Sequence, residues 1–463
     1  MPEKPVIVLR IMVLALIALP ATMQSQQQGN VAIYNSGSPA ASSAYIDAGP
    51  FYNNGLGTSG DICKIINGIL SGTLYSNYPS AGAVIDARGI LPLDNEPAYL
   101  SCSINPFPSS APPSTILLPG ETIQIAQPWV LPSNTRIIGE GSGISGSVTA
   151  IGPQSSFSRG TYTALIQMGV SNSTPATGVV IEHLQVNVFS LTNGNNNTNL
   201  DGIDNVSAGD GSYVNDVDII NFGPLTSGGS LASGSQCTPT TGVITGLCIS
   251  PNATYSGPYT NINLAPSNNC SSGNYMCQNT ACVKIQAQMR GLHNVTCVGG
   301  STGTNNTTWP KAAIYLDSYA TSIENVHVEG FYDGIVIGDY ADGLPAGASS
   351  ISGNTIATVT GSYNSGGKLQ NTVHICNSSA SSSNSACNSA SLPVTNLTIT
   401  QSLASAGTTG GNTAIQDDNA NGGTFGVSTS TQPGFVGLYS IGAPGTITIS
   451  GGERHHVPTL YNE

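Results

Sequence analysis

Lys284, Tyr315, Asp317, Asp333 and Asp339 lie in or beside short segments that alternate apolar and polar residues. A lysine or tyrosine can take the proton α to a uronate carboxylate, the opening step of an elimination. The three aspartates supply carboxyls that can give or accept protons. Trp309, in NNTTWPKAA, offers a ring on which a sugar can stack, or an anchor for its own loop. The charged strip has a second reading as a solvated face. Asp333 opens DGIVIG, in the same position that Asp201 takes in DGID.

The elements that must hold these residues are strands. In AAIYLDSYATSIENVHVEGFYDGIVIG, Ile314 and Leu316 alternate with Tyr315 and Asp317, and Ile323, Val326 and Val328 face away from His327 and Glu329. Such period-two patterning marks half-buried strands. The pattern recurs. Core pairs Leu247/Ile249, Val283/Ile285, Ile314/Leu316, Ile335/Ile337 and Val373/Ile375 come first in each unit, with Ile203 and Val206 starting the series. Between them stand Asp204, Cys248, Lys284, Tyr315, Val336 and His374, expected to point outward. A turn column follows, reading His183, Asp216, Asn261, Asn294, Asn325 and Asn396, with a weaker match at Asn354. Its members are spaced roughly 30 to 45 residues apart, a repeat that keeps its strands and varies its loops. Stacked Asn side chains would satisfy the backbone of such a turn, which makes them structural.

The chain has 463 residues, of which 8% are charged, and it contains 56 Gly. Helix formers are scarce, so the composition favours an all-β fold. The net charge of −13 argues against a nucleic-acid partner or an anionic membrane surface. Lys4 and Arg10, the apolar run from Ile11 to Leu19, then Pro20 and Ala21, read as an export signal over residues 1–25. That run is too short to span a bilayer, and no later stretch reads as a membrane span. The expected location is therefore outside the cytoplasm, extracellular or periplasmic. Ten Cys suit an oxidising compartment. Neighbouring pairs are Cys63 with Cys102, Cys237 with Cys248, Cys270 with Cys277, Cys282 with Cys297, and Cys376 with Cys387; spacing alone does not select this pairing. Residues 26–58 read as a loose arm, 59–450 as one domain and 451–463 as a tail. Asp61 can cap a helix in DICKIINGIL whose Ile62, Ile65, Ile66 and Ile69 share a face, which suits the covered end of a coil.

GDICKIINGI, then GAVIDARG, then LPSNTRIIGEG, then coils of the N-V-x-I type, together resemble the pectate lyase superfamily over residues 45–450. The resemblance implies a right-handed parallel β-helix with a short N-terminal capping helix. It also implies a polysaccharide partner bound on one face. In the polygalacturonase-like members, Asp residues on adjacent coils act as acid and as activators of water, with carboxyls roughly 6.5–9.5 Å apart where a water must fit between them. Asp201 and Asp204, in NTNLDGID, stand where that family's N-T-D-G-x-D segment would put them, although Leu200 and one extra residue interrupt it. The family's paired Asp on the next coil is replaced by TGLCIS, and its G-H-G and R-I-K elements are absent.

The expectation is an exported β-helix that cleaves glycosidic bonds in pectin-like or related glycans. Asp201, Asp204, Asp317 and Asp333 would carry catalysis, and Lys284, Tyr315, Trp309 and Asp339 would bind substrate. Hydrolysis is favoured over elimination because carboxylates outnumber basic groups on the face. The alternative is a non-catalytic glycan-binding or adhesive module. No cofactor is required; calcium would have only the grouping Asp333, Asp339 and Asp342 to draw on, without an EF-hand loop.

Overall fold

A computed structural model describes residues 44–53, 60–92, 99–143, 148–157, 164–171, 173–188, 200–223, 243–266, 280–299, 310, 312–337, 351–362, 371–375 and, beyond these, short strands between 394 and 450. Trp309, Asp339 and Asn396 lie outside the described residues, as does the segment read as an export signal.

Strands belong in turn to two sheets, and from Ala44 to Asn371–Ile375 neighbouring strands in both sheets run parallel. The first sheet has 19 strands and the second has 10. The repeating unit is a strand of the second sheet, a turn, then a long bent strand of the first: Asp201–Asn205 then Tyr213–Phe222, Ile244–Ile249 then Tyr259–Pro266, Thr280–Ile285 then Leu292–Val298, Ala312–Leu316 then Ser322–Glu329. Each unit pairs with its predecessor through both members, so the chain coils in the manner of an all-β parallel solenoid. Near the end the pairing changes: Asn412–Asp417 joins Phe425–Thr429 antiparallel, as do the last strands of the first sheet.

The bend in each first-sheet strand sits at the turn column. His183, Asp216, Asn261, Asn294 and Asn325 all have φ between 52° and 54°, a left-handed conformation that Asn and Asp tolerate better than other non-glycine residues. Their side chains form a ladder. Asn325 Nδ2 donates to Asn294 Oδ1 at 2.8 Å, Asn294 Nδ2 to Asn261 Oδ1 at 3.2 Å, and Asn261 Nδ2 to Asn215 Oδ1 at 3.0 Å. His183 Nδ1 meets Asp216 Oδ2 at 2.6 Å. Asn354 is not a member. Val326 pairs with Val359, which puts Thr358 beside Asn325. Asn354 instead sits buried at the other turn, donating to Ser318 O and accepting from Thr321 N.

The core lies between the sheets and consists of like residues stacked in columns. Ile203, Leu247, Val283, Ile314, Ile335 and Val373 follow one another in register down the second sheet, all fully buried. Each such side chain contributes about 1.5–3 kcal/mol on burial. Asn205, not Val206, is the partner of Ile249, because its amide turns inward to Tyr259 Oη (2.7 Å) and Ala208 O (2.8 Å). A disulfide joins Cys282 and Cys297 across this interior. A second joins Cys63 and Cys102. Cys248 is also disulfide-bonded.

The helix Ile62–Leu70 buries Ile62, Ile65, Ile66 and Ile69, and the Asp61 carboxylate accepts from Cys63 N and Lys64 N at its start. The arm expected over 26–58 contains structure: Ala44–Asp47 is a strand paired with Ala83–Asp86, and Gly49–Asn53 is a short helix. Four strand residues are too few for alternation to show in the sequence, and Ile46 alone is buried there. Among the described residues no helix is long and apolar enough to cross a membrane.

Candidate active site

From Asp201–Asn205 to Asn371–Ile375, each strand of the second sheet has two inward residues in succession, and the residues on either side of that pair point outward. In Asp201–Asn205 the inward pair is Gly202 and Ile203, which leaves Asp201 and Asp204 on the outer face. The glycine is required by space. A Cβ on Gly202 would lie 2.4 Å from Ile219 Cγ2 and 2.5 Å from the Gly246 carbonyl oxygen. Gly334 repeats the requirement, with Thr372 O at 2.4 Å. The Asp-Gly pairs at 201–202 and 333–334 therefore place a carboxyl outside and a hydrogen inside.

Stacking turns these outer positions into two columns. The first reads Asp201, Thr245, Ala281, Ala312, Asp333 and Asn371; the second reads Asp204, Cys248, Lys284, Tyr315, Val336 and His374. The expected outward residues are thus all on one face. The face is covered: none of these side chains is exposed, and Lys284 keeps only 1% of its surface open.

Polar groups gather at the two ends of this strip. At one end, Asp201 Oδ1 accepts from Thr245 N at 2.6 Å, and its carboxyl hydrogen-bonds to the Asp204 side chain. Burial pushes the Asp201 carboxyl up to about 7, against the Thr245 amide, the Asp204 bond and the nearby positive charge of Lys284, which all pull it down. Lys284 lies two strands from Asp204, about 10 Å along the sheet. At the other end, Asp333 is completely buried and takes two donors from the next strand, Asn371 Nδ2 at 2.7 Å on Oδ1 and His374 Nδ1 at 3.0 Å on Oδ2. Between the ends is an apolar stretch in which Val243, Ala281, Ala312, Tyr315 and Val336 cluster.

The sequence-derived set is therefore brought to one face but not to one point. Asp201 and Asp333 are four strands apart, about 19 Å. That separation exceeds what two carboxyls acting on one glycosidic bond can use. Asp317 is buried just past Ala312–Leu316, with its N–H on Ile285 O, at the turn rather than in either column. His374 and Asn371 were not among the candidate site residues. A register count does put His374 outside, but its bond to Asp333 depends on two strands 41 residues apart in the chain. Among the described residues no group of three His, Cys, Asp or Glu side chains is placed to hold a metal ion.

No protein-family model matches this chain, and no curated protein matches it. Among solved structures, the chain aligns with ORF18 of Geobacillus virus E2 at 13% identity over 88% of this chain and 76% of that one, with a TM-score of 0.28. A likeness that loose carries no argument about fold or function.

Proposed function

We propose that this chain is an exported, right-handed parallel β-helix of the pectate lyase superfamily kind, with the helix Ile62–Leu70 as its N-terminal cap, and that it cleaves glycosidic bonds in pectin-like or related polysaccharides by hydrolysis. The observation that carries the reading is the Asp201–Asp204 pair, two hydrogen-bonded carboxyls with Lys284 on the same buried face. Burial raises the Asp201 carboxyl towards neutral pH, and its hydrogen bond to Asp204 lets the two carboxyls share a proton there, so the pair offers a proton donor beside a carboxylate. One carboxyl of the pair gives the shared proton to the leaving glycosidic oxygen, and the other, ionised, stabilises an oxocarbenium-like transition state. Water then bonds to the anomeric carbon and returns a proton to the pair, so one water is consumed for each bond cleaved. Lys284 attracts an anionic sugar, and Tyr315 offers a ring beside it. Asp333 stands too far along the strip to share this bond, and the reading assigns it no part in it. The disulfides suit an oxidising compartment outside the cytoplasm.

A panel of pectic and related glycans tests the proposal. Release of reducing ends, lost in Asp201→Asn, supports it; new absorbance near 230 nm would replace hydrolysis with elimination. One observation favours a second reading, a non-catalytic glycan-binding or adhesive module: the polar groups of the strip are buried, and Asp333 is fully engaged by Asn371 and His374. Binding to glycans without release of any product would select it.

A further inference from the structure

The turns that carry the chain from the second sheet to the first stack as the strands do, and they form a ridge beyond the two columns of the covered strip. Asp210 lies in the turn after Asp201–Asn205, Tyr255 in the turn after Ile244–Ile249, and Arg290 in the turn after Thr280–Ile285. Backbone bonds tie the three turns together. Gly257 N donates to Ser212 O, Tyr255 N to Gln288 O and Arg290 N to Ser256 O, each at 2.7 Å. The Arg290 guanidinium reaches back over the middle turn to hydrogen-bond the Asp210 carboxylate. The side chains of this ion pair are 55% and 71% exposed, so it frames the turn of Tyr255 from the solvent side.

Tyr255 is the member of the ridge that folding does not account for. Its φ is 64°, in the left-handed region where a Cβ crowds the following carbonyl and bulky residues are rare. Glycine removes that crowding, and the same turn uses it for its other positive φ, at Gly257. Burial offsets little of the strain, because 57% of Tyr255 stays open. A backbone held in this region to present an exposed ring calls for a reason outside the fold. Two further residues continue its row. Ile285 pairs with Leu316, which by count sets Gln288 beside Tyr319 in the next turn, and both are half-buried. Two tyrosines therefore stand two coils apart, about 10 Å, with an amide side chain between them.

The chemistry of the ridge selects its ligand. A phenol offers an apolar face and a polar edge, which suits the C–H face and the hydroxyl rim of a sugar ring. Arg290 donates and Asp210 accepts, so together they can bond hydroxyls in either sense. Their charges cancel, whereas a polyanion is held by cations in excess. We propose that Tyr255, Gln288, Tyr319, Arg290 and Asp210 form a glycan-binding surface, separate from the strip, for a neutral polysaccharide chain running over the turns along the axis of the coil. Tyr255 is the principal platform. Arg290 and Asp210 bond hydroxyls of the sugar stacked there, and Gln288 and Tyr319 extend the contact. The proposal rests on the glycosidic reading only for the ligand being a polysaccharide, and it requires no cleavage.

Affinity electrophoresis of the full chain through gels containing galactan, arabinan, xyloglucan or polygalacturonate tests it. Wild type should be retarded by at least one of the three neutral glycans more than by polygalacturonate. Tyr255→Gly should weaken that binding about tenfold or more while Tm stays level or rises, because glycine relieves the left-handed strain. A tyrosine kept only for the fold would give the opposite pair of results. Tyr255→Phe, which keeps the ring, should keep most of the binding, and Arg290→Gln should weaken it severalfold. Reducing-end release from short oligosaccharides should be unchanged in Tyr255→Gly. Retardation by no neutral glycan, equal retardation of wild type and Tyr255→Gly, or retardation by polygalacturonate alone overturns the proposal. A chain that binds a neutral glycan through Tyr255 yet cleaves nothing keeps this surface and removes the cleavage reading; cleavage without binding at Tyr255 does the reverse.

Discussion

At the scale of the residue, Asp201 ties stability to pH. Its folded pKa, about 7, lies above the roughly 3.9 of an unfolded aspartate. Between those values the folded chain holds more protons at this site than the unfolded one, so the contribution of Asp201 to stability is fully present below about pH 4 and is lost as pH rises through about 7. The cost is on the order of a few kcal/mol. Asp201→Asn should flatten this dependence, read as urea midpoints at pH 4.5 and 7.5; an unchanged slope would show that the carboxyl is already ionised at pH 4.5. Asn294 makes the second residue-scale prediction. It accepts from Asn325, donates to Asn261 and holds φ at 54°. Asn294→Ala should cost about 1–3 kcal/mol through lost hydrogen bonds and a strained left-handed backbone, and Asn294→Gly should cost less because it removes the strain. Equal losses in the two variants would assign the whole effect to the ladder.

At the scale of the element, the outward placement of both Asp-Gly carboxyls depends on the glycine behind each. Gly334→Ala would drive a methyl to 2.4 Å from the Thr372 carbonyl oxygen, part of the backbone of the next strand. The strand must shift, at a cost of about 1–3 kcal/mol, and Asp333 should move away from His374 with it. A fall in Tm checks the first outcome, and a changed His374 imidazole proton resonance checks the second. The disulfide Cys282–Cys297 spans a sequence separation of 15 and ties a second-sheet strand to a first-sheet strand inside the core. Replacing both with Ala should lower stability by about 3 kcal/mol in the chain-entropy account. The strands themselves were plain in the sequence: alternation located those at Ile314–Leu316 and Ile323–Val328, and the Asn column located the bends. Asn354 entered the column by its type and spacing, yet only the pairing of Val326 with Val359 shows which residue lies beside Asn325.

At the scale of the whole molecule, a coil turns residues distant in the chain into neighbours at strand spacing, which makes function a matter of position along one strip. The prediction here concerns substrate length. A glycan that reaches the Asp201–Asp204 end and also the Asp333–His374 end must cover about 19 Å. The proposed reading places cleavage at the Asp201–Asp204 end alone, so kcat/KM for reducing-end release should not depend on whether an oligosaccharide also reaches Asp333–His374, and a rise at that length would bring the far end into glycan binding.

The sequence by itself determined the all-β class, the repeat, the turn column of Asn residues and the outward set Asp204, Lys284, Tyr315 and His374, because these follow from period-two patterning and from the turn preference of Asn. Only the tertiary structure decided that this set divides into two polar ends around an apolar middle, that Asp333 is held by His374 and Asn371, and that the face is covered. Pairing between strands some 30 to 45 residues apart is set by the register of stacked coils and by the loops that join them, and neither is written in the local pattern of any one strand.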